Sequence, residues 1–209
     1  AMQNYSMIFP AYSIGTDIYQ KISSVCHPYG QKIIAIGGHR AIQAARPQID
    51  QAIAHSDLEI LDYVWYGGEA SFENVAALES LPLVQAADMI FAIGGGKALD
   101  TCKCLSVKTG KPVFTFPTIA ATCAAVTTVA IMYYTDGSFR EPFFFLQPPT
   151  HAFIQTDIIA AAPPQYLWAG LGDTYAKYFE TTVSSRGECL EHYNAIGVQL
   201  SRQCLEPLL

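Results

Sequence analysis

A glycine-rich turn, Gly94-Gly95-Gly96-Lys97, separates an apolar, strand-like segment from a helix-like segment. Glycine has no Cβ atom, so the backbone of such a turn can approach a ligand closely. The helix that follows offers unpaired N–H groups and a partial positive charge, which suit a phosphate, and Lys97 adds a full charge. Asp100 could accept bonds from a ribose or cap the first helical turn. The spacing matches neither a Walker loop nor the Rossmann fingerprint, so packing and phosphate binding remain equally open for this turn alone.

A second segment, residues 117–128, is rich in small residues and hydroxyl groups and follows the apolar strand at 113–116. At the carboxyl end of a strand, such residues form a surface against which a flat ligand can lie. Close packing between helix and strand explains the same composition equally well.

A third segment places Asp173, Lys177 and Glu180 four and seven residues apart, on one face of a predicted helix. An aspartate between a glycine and an apolar helix could bind a metal ion. The alternative is a surface ion pair between Asp173 and Lys177, which contributes little to stability, and the segment alone favours it.

The composition excludes several classes of protein. Among 209 residues, 51% are hydrophobic and 14% are charged, which implies a large core or a surface covered by more protein. The net charge of −6, without a basic block, argues against nucleic-acid binding. The longest uncharged run, 112–135, contains Pro117 and several threonines and so does not predict a membrane span. The six cysteines include no C-x-x-C pair, and the chain does not start with a secretory leader pattern, so we expect reduced thiols and a cytoplasmic location.

Strand-like and helix-like segments alternate up to residue 116, which predicts an α/β fold with a parallel sheet covered on both faces. Predicted strands lie at 6–10, 32–36, 58–66, 88–93 and 113–116. Three further strands, at 129–134, 143–146 and 152–156, predict a hairpin or an addition to the sheet edge. Helices are predicted from Pro164 to about Val183 and from Glu188 to Cys204. We therefore expect a nucleotide-binding domain at 1–160 and the beginning of a helical domain at 161–209, with its remainder beyond Leu209.

Together the three segments resemble the iron-containing (group III) alcohol dehydrogenase family, in its glycerol-dehydrogenase-like branch. The motifs are G-G-G-K-x-x-D-x-x-K at 94–103, P-T-x-A-[SA]-T-x-A at 117–124 and G-[IL]-G-D at 170–173, in the family's order. The resemblance covers essentially the whole chain. It implies a Rossmann-like sheet followed by an all-helical metal-binding domain, the architecture of dehydroquinate synthase. Within the family, residues 36–42, 117–125 and 165–174 look most like hydroxycarboxylate dehydrogenases, which reduce 2-oxo acids with a nicotinamide cofactor.

The resemblance also implies roles for individual residues in holding that cofactor. The glycine turn with Lys97 would hold the diphosphate, and Asp100 matches the motif aspartate. Two threonines match residues beside the adenine and nicotinamide portions, and three later residues match the lining of the nicotinamide site. The implied cofactor residues of these segments are Gly94, Gly95, Gly96, Lys97, Asp100, Thr118, Thr122, Thr127, Val129 and Tyr133.

Asp173 matches the aspartate ligand of a catalytic divalent metal, zinc or iron, which would act as a Lewis acid on the substrate carbonyl. The family's other two ligands are histidines on later helices, which we expect beyond Leu209. The sequence around His151 and His192 does not match those histidine motifs. With one ligand of three, this chain is expected to hold metal weakly and to be inactive by itself.

Two positions depart from the glycerol dehydrogenases that the chain resembles. Gly38 stands where those enzymes carry an aspartate that binds the adenosine ribose. With His39 and Arg40 it leaves room and positive charge for a 2′-phosphate, which predicts NADP(H) in preference to NAD(H), although Arg40 facing solvent is the alternative. Cys123 stands at the position of an aspartate that contacts the polyol, and losing that charge favours an anionic substrate. A nucleophilic role for Cys123 would need a base that the nearby sequence does not supply.

The predicted function is hydride transfer between a nicotinamide cofactor, NADP(H) or NAD(H), and a small 2-oxo or 2-hydroxy acid or alcohol, with a metal ion and a homo-oligomeric complete protein. Three alternatives remain open at this point: a glycerol (polyol) dehydrogenase, a nucleotide-binding module without catalysis, and a cyclase similar to dehydroquinate synthase. The last would need a cluster of basic side chains for a phosphorylated substrate, and the twelve Lys and Arg residues show none in the sequence.

Overall fold

The computed structural model describes residues 8–190 and 192–205. Within them, six parallel strands form one sheet and two antiparallel strands form a separate hairpin. The strands are β1 (Tyr12–Gly15), β2 (Lys32–Gly37), β3 (Glu59–Trp65), β4 (Met89–Gly94), β5 (Val113–Pro117), β6 (Val129–Tyr133), β7 (Phe139–Phe144) and β8 (His151–Gln155). The order across the large sheet is β1-β8-β5-β4-β2-β3, and β6 pairs with β7.

Helices cover both faces of this sheet and continue beyond it. They are α1 (Ile22–Cys26), α2 (His39–Ile53), α3 (Phe72–Glu79), α4 (Pro82–Ala86), α5 (Gly96–Thr109), α6 (Thr156–Ala160), α7 (Pro164–Ser184) and α8 (His192–Arg202). Short 3-10 turns occupy Ile18–Lys21 and His27–Tyr29. The side chain of Ser71 accepts a hydrogen bond from the Asn74 amide at 3.2 Å and so caps α3.

The central strands form the core because both of their faces are covered. Every residue of β4 and of β5 is buried, and β2 is buried after Lys32. One apolar cluster lies on each side of the sheet: Ile34, Ile90 and Leu99 belong to the first, and Phe91 and Phe114 to the second. Alternate residues of one strand thus face different helices, as the near-continuous apolar runs predict. The predicted parallel, Rossmann-like α/β fold is confirmed.

Two local predictions are wrong, and a third had two alternatives. Of the first predicted strand at 6–10, residues 6 and 7 lie outside the described residues and 8–10 are not in a strand; β1 begins at Tyr12 instead. It is a half-exposed edge strand, set by its pairing with β8 rather than by burial. The strand predicted at 143–146 lies earlier, at Phe139–Phe144, because it pairs with β6. Of the strands predicted to form a hairpin or an addition to the sheet edge, β6 and β7 form the hairpin, whereas β8 lies in the large sheet between the edge strand β1 and β5.

The helices after residue 160 differ from the α/β part in burial. Over the described residues, α7 has no side chain that is fully buried, and it packs against α8. The division of the chain at 160/161 remains a prediction. In the described part of the chain, no helix is both long enough and apolar enough to cross a membrane.

Candidate functional site

The candidate site lies where the connections of the large sheet change direction. From β2 the chain moves outward to β3, and it then returns to β4 on the other side of β2. In open α/β sheets, ligands bind in the crevice that such a switch leaves at the carboxyl ends of the strands. Helix α2 begins after Gly38 and helix α5 after Gly95, so two helix N-termini face this crevice. Among the described residues, no side chain caps either N-terminus.

The glycine turn packs against the loop after β5 and also lines the crevice. Gly94 has a φ of 148°, in the region that favours glycine. A Cβ atom on Gly95 would lie 2.6 Å from the Ile119 side chain, and one on Gly96 would lie 3.2 Å from Thr122 Oγ1. The loop after β5 therefore rests directly on the turn, and a Cβ atom at Gly95 would displace the Ile119 side chain. The same backbone lines the crevice, so this packing is compatible with phosphate binding, which remains a prediction.

A cleft of about 1010 Å³ opens at this point and brings distant segments together. Seven predicted cofactor residues line it: Gly38, Arg40, Gly94, Gly95, Gly96, Lys97 and Thr118. Its far wall comes from α6 and the start of α7, including Asp157 and Tyr166. The sequence analysis did not assign these two residues to the site, because nothing in the sequence shows that α6 folds back over the glycine turn.

An aromatic pair forms the outer wall of the cleft beside Gly38. The rings of His39 and Trp65 are stacked, with centroids 5.4 Å apart and an interplanar angle of 12°. Trp65 is 49% exposed although it ends an apolar strand. The sequence analysis missed Trp65 and its neighbour Tyr66 as site residues. Their place at the carboxyl end of β3 is the signal that could have identified them.

The charge of the cleft favours an anion. Arg40 and Lys97 line it, together with a single carboxylate among the described lining residues, that of Asp157. Gln48 donates a hydrogen bond to Asp157 Oδ2 at 2.9 Å, and this bond lowers the pKa of Asp157. The lining of the cleft therefore carries two cationic side chains and one hydrogen-bonded carboxylate.

Lys97 has a carboxylate partner of its own. Its Nζ lies 2.6 Å from Glu69 Oε2, and this hydrogen bond raises the pKa of Lys97. The ammonium group also lies 5.4 Å from the centroid of the Tyr133 ring. Glu69 is separated from Lys97 by 28 residues and sits in the loop after β3. The ammonium group is thus directed to a protein carboxylate that is not among the lining residues of the cleft.

Asp100 is not among the residues that line the cleft, although the sequence suggests that it could contact a ribose or cap the first helical turn. Its Oδ1 lies 2.8 Å from Lys103 Nζ, and its Oδ2 accepts a hydrogen bond from the Ile131 amide at 3.0 Å. Both side chains are nearly inaccessible, at 10% and 2% exposure. Burial raises the pKa of Asp100, while Lys103 and the Ile131 amide act against that shift. The physical reason for the difference is that Asp100 points into the packing of α5 against β6.

The remaining predicted cofactor residues lie beside the cleft rather than among its lining residues. Thr122 contacts the glycine turn, and Tyr133 reaches the site through Lys97. Thr127 Oγ1 and the Val129 carbonyl both accept bonds from Lys103 Nζ, at 3.1 Å and 2.6 Å. Contact of these residues with the nicotinamide remains a prediction. The thiol of Cys123, which follows Thr122 in the loop after β5, is exposed.

Asp173 lies on α7, and its carboxylate is 3.2 Å from Lys177 Nζ, which also contacts Glu180 at 2.8 Å. This is the surface ion pair that the sequence offers as an alternative to metal binding. In residues 8–190 and 192–205, no three His, Cys, Asp or Glu side chains are grouped so that they could hold a metal ion. The ring of His151 instead contacts Ser13 Oγ at 3.0 Å. The metal role of Asp173 remains a prediction.

Comparison with known proteins identifies the family. The family model of iron-containing alcohol dehydrogenases matches residues 10–152, which include β1 to β7, the glycine turn and the loop after β5. The chain belongs to the iron-containing alcohol dehydrogenase family.

Similar members of the iron-containing alcohol dehydrogenases include a glycerol dehydrogenase of Thermotoga maritima, 35% identical over 69% of this chain and 40% of the relative. Hydroxycarboxylate dehydrogenase A of Escherichia coli is 33% identical over 73% of this chain and 41% of its own. The crystal structure of a probable glycerol dehydrogenase from Sinorhizobium meliloti has the same fold, with a TM-score of 0.81 and 23% identity over 97% of this chain and 57% of that one. The chain thus spans about half the length of these proteins.

Proposed function

We propose that the chain binds a nicotinamide dinucleotide phosphate in its cleft and that the longer protein transfers hydride between this cofactor and a small 2-oxo or 2-hydroxy acid or alcohol. The observation that carries the proposal is the convergence of two helix N-termini, free of described side-chain caps, on one cleft. Each attracts a phosphate through its N–H groups and its dipole. Family membership supports the hydride-transfer class over a cyclase.

The position before α2 supports the phosphorylated form of the cofactor. A Cβ atom on Gly38 would meet nothing nearer than Tyr66 Cε1 at 3.8 Å, so this side of the cleft is open. Arg40 lies in the first turn of α2 and lines the same cleft. A 2′-phosphate placed there would meet positive charge and no carboxylate from residue 38. Fluorescence titration of the chain with NADPH and NADH tests this, and equal affinities would overturn the preference.

The described residues do not bring together a set of metal ligands. They present Asp173 alone among the predicted ligands, and this carboxylate already contacts Lys177. A divalent metal, zinc or iron, would polarise a substrate carbonyl when bound. Activity that depends on it would therefore require ligands from outside the described residues, so catalysis is proposed only for the longer protein.

Replacement of Glu69 by glutamine is expected to tighten cofactor binding by about two- to fivefold. Glu69 neutralises Lys97 at 2.6 Å, and glutamine keeps the shape of the side chain while removing the competing charge. The gain should shrink as salt is added, because exposed charges are screened. The measurement is NADPH titration at low and high ionic strength, with Lys97→Met as the opposite control. Unchanged or weaker binding by Glu69→Gln would show that Lys97 does not serve the phosphates.

Replacement of Cys123 by aspartate in the longer protein is expected to shift turnover from 2-oxo acids toward glycerol. Cys123 is exposed beside the glycine turn, so the substitution introduces a carboxylate where the resemblance places the polyol contact. We expect the ratio of the two kcat/KM values to change by tenfold or more, since the carboxylate repels an anionic substrate and accepts bonds from a polyol. Cys123→Ser is the matched control and should change the ratio little. Faster turnover of glycerol than of 2-oxo acids by the unmodified protein would refute the preference for 2-oxo acids that Cys123 is proposed to give.

A further inference from the structure

Lys103 is the most deeply buried cation for which the structure gives contacts. Its side chain is 2% exposed, and its Nζ lies 2.8 Å from Asp100 Oδ1. It also lies 2.9 Å from the Ala124 carbonyl oxygen, 3.1 Å from Thr127 Oγ1 and 2.6 Å from the Val129 carbonyl oxygen. An ammonium group has three protons, so the three oxygens of 124–129 saturate it, and Asp100 Oδ1 provides the compensating charge as an ion pair. A buried charge is tolerated only when it is bonded in this way.

The acceptors have one property in common: apart from Asp100, they all belong to the segment 124–129 between β5 and β6. Asp100 extends the connection by accepting the Ile131 amide at 3.0 Å. On the other side of the segment, Thr115 Oγ1 donates to the Ala125 carbonyl at 2.8 Å. The pair Asp100–Lys103 therefore ties 124–131 to α5 through main-chain groups of the segment and the hydroxyl of Thr127.

The helix that provides this tie is the one that begins at the glycine turn. Its N-terminus faces the cleft, while Asp100 and Lys103 follow within two turns. A shift of 124–131 relative to α5 would thus be a shift relative to the place where the diphosphate is proposed to bind. The two halves of a dinucleotide are joined through that diphosphate, so the distance between the turn and the segment decides where the nicotinamide ring lies.

We propose that Lys103 is a positioning residue, which fixes the segment 124–131 at a set distance from the glycine turn so that this segment receives the nicotinamide half of the cofactor. The inference rests on the proposed cofactor function. It assigns Asp100 to the same device, in place of contact with the ribose. Lys103 itself touches no cofactor.

The test compares the binding of the whole cofactor with the binding of its adenosine half. Lys103→Met alone would leave a buried, unpaired carboxylate, so the variant is Asp100→Asn with Lys103→Met, in which the amide oxygen still accepts the Ile131 N–H. Lys108→Met is the matched control, since it removes a lysine from the same helix that is 43% exposed and lies 3.9 Å from Glu79. We expect the double variant to lose at least tenfold in affinity for NADPH but less than twofold for adenosine 2′,5′-bisphosphate, which lacks the nicotinamide. The control should stay within threefold for both.

Hydrogen exchange of peptides covering 124–131 gives a readout that does not depend on the cofactor. These amides should exchange at least tenfold faster in the double variant than in the control, while β2 and β4 stay protected. Equal losses for both nucleotides, or no loss for NADPH, would overturn the positioning role. If the unmodified chain bound neither nucleotide, the proposed function would fail, and unchanged exchange would separately refute the tie. Should the methionine variant not fold, Asp100→Asn with Lys103→Gln carries the same expectations.

Discussion

Gly38→Asp is expected to reverse the cofactor preference, lowering the affinity for NADPH by about 30-fold or more while that for NADH is kept or improved. A carboxylate at the start of α2 would stand next to the 2′-phosphate and repel it, and with NADH it would instead accept bonds from the ribose hydroxyls. A loss of this size corresponds to about 2 kcal/mol, which is ordinary for a charge–charge clash in a partly enclosed cleft.

The structure accommodates this substitution without strain. Gly38 has φ −78° and ψ 148°, an extended conformation open to any residue and typical of a helix N-cap. Its Cβ would make an ordinary contact of 3.8 Å with Tyr66. Aspartate is among the preferred N-cap residues, so the variant should be at least as stable as the parent. A loss of NADPH binding would therefore reflect the charge and not damage to the fold.

Gly38→Asn is the matched control, because it has the same shape and capping ability without the charge. Titration of each variant with NADPH and NADH by cofactor fluorescence gives the two affinities, and a thermal melt confirms the fold. Asparagine should cost NADPH binding less than threefold. Were aspartate and asparagine to behave alike, the 2′-phosphate would not lie at this position.

The sequence predicts the sheet well because burial on two faces leaves a clear pattern. Strands β2, β4 and β5 are short apolar runs that end in glycine or proline, and they need no partner to be recognised. Strand β1 has no such pattern. It is half exposed and is defined by β8, which follows it by more than 130 residues. Pairing over that distance is decided by the tertiary fold, which a local pattern does not record.

The residues of the candidate site also differ in how well the sequence predicts them. The glycine turn and Thr118 can be predicted, since strand, turn and helix are adjacent in sequence. The partners that set their chemistry are not adjacent: Glu69 lies 28 residues before Lys97, and Trp65 lies 26 residues after His39. Asp100 illustrates the limit most clearly. Its place in a motif suggests a ligand contact, but Lys103, one helical turn on, forms a buried ion pair with it, and breaking that pair would leave an uncompensated buried charge.

The two glycines of the G-L-G-D segment are expected to respond to alanine with opposite signs. Both lie inside α7, where alanine is favoured over glycine by about 1 kcal/mol. At Gly172 a Cβ atom would meet nothing within 4 Å, so Gly172→Ala should gain most of that amount. At Gly170 a Cβ atom would lie 1.7 Å from the Ala120 carbonyl oxygen and 3.3 Å from Ala121 Cα. Backbone atoms cannot rotate away, so α7 must move off the loop.

Gly170→Ala should therefore lose about 1–3 kcal/mol in spite of its better helix propensity, the usual cost of overpacking. For a chain of this size, each kcal/mol changes Tm by about 2–4 °C, so a thermal melt separates the two variants. The consequence extends to the cleft, because Tyr166, one turn before Gly170, lines its far wall. NADPH binding should thus weaken for Gly170→Ala and stay unchanged for Gly172→Ala. The variants differ by the place of one methyl group, so equal stability would mean that α7 does not rest on the loop as described. In that case the metal motif would explain why residue 170 is glycine. The expected result would instead explain it by the contact between the backbone of α7 and that of the loop after β5.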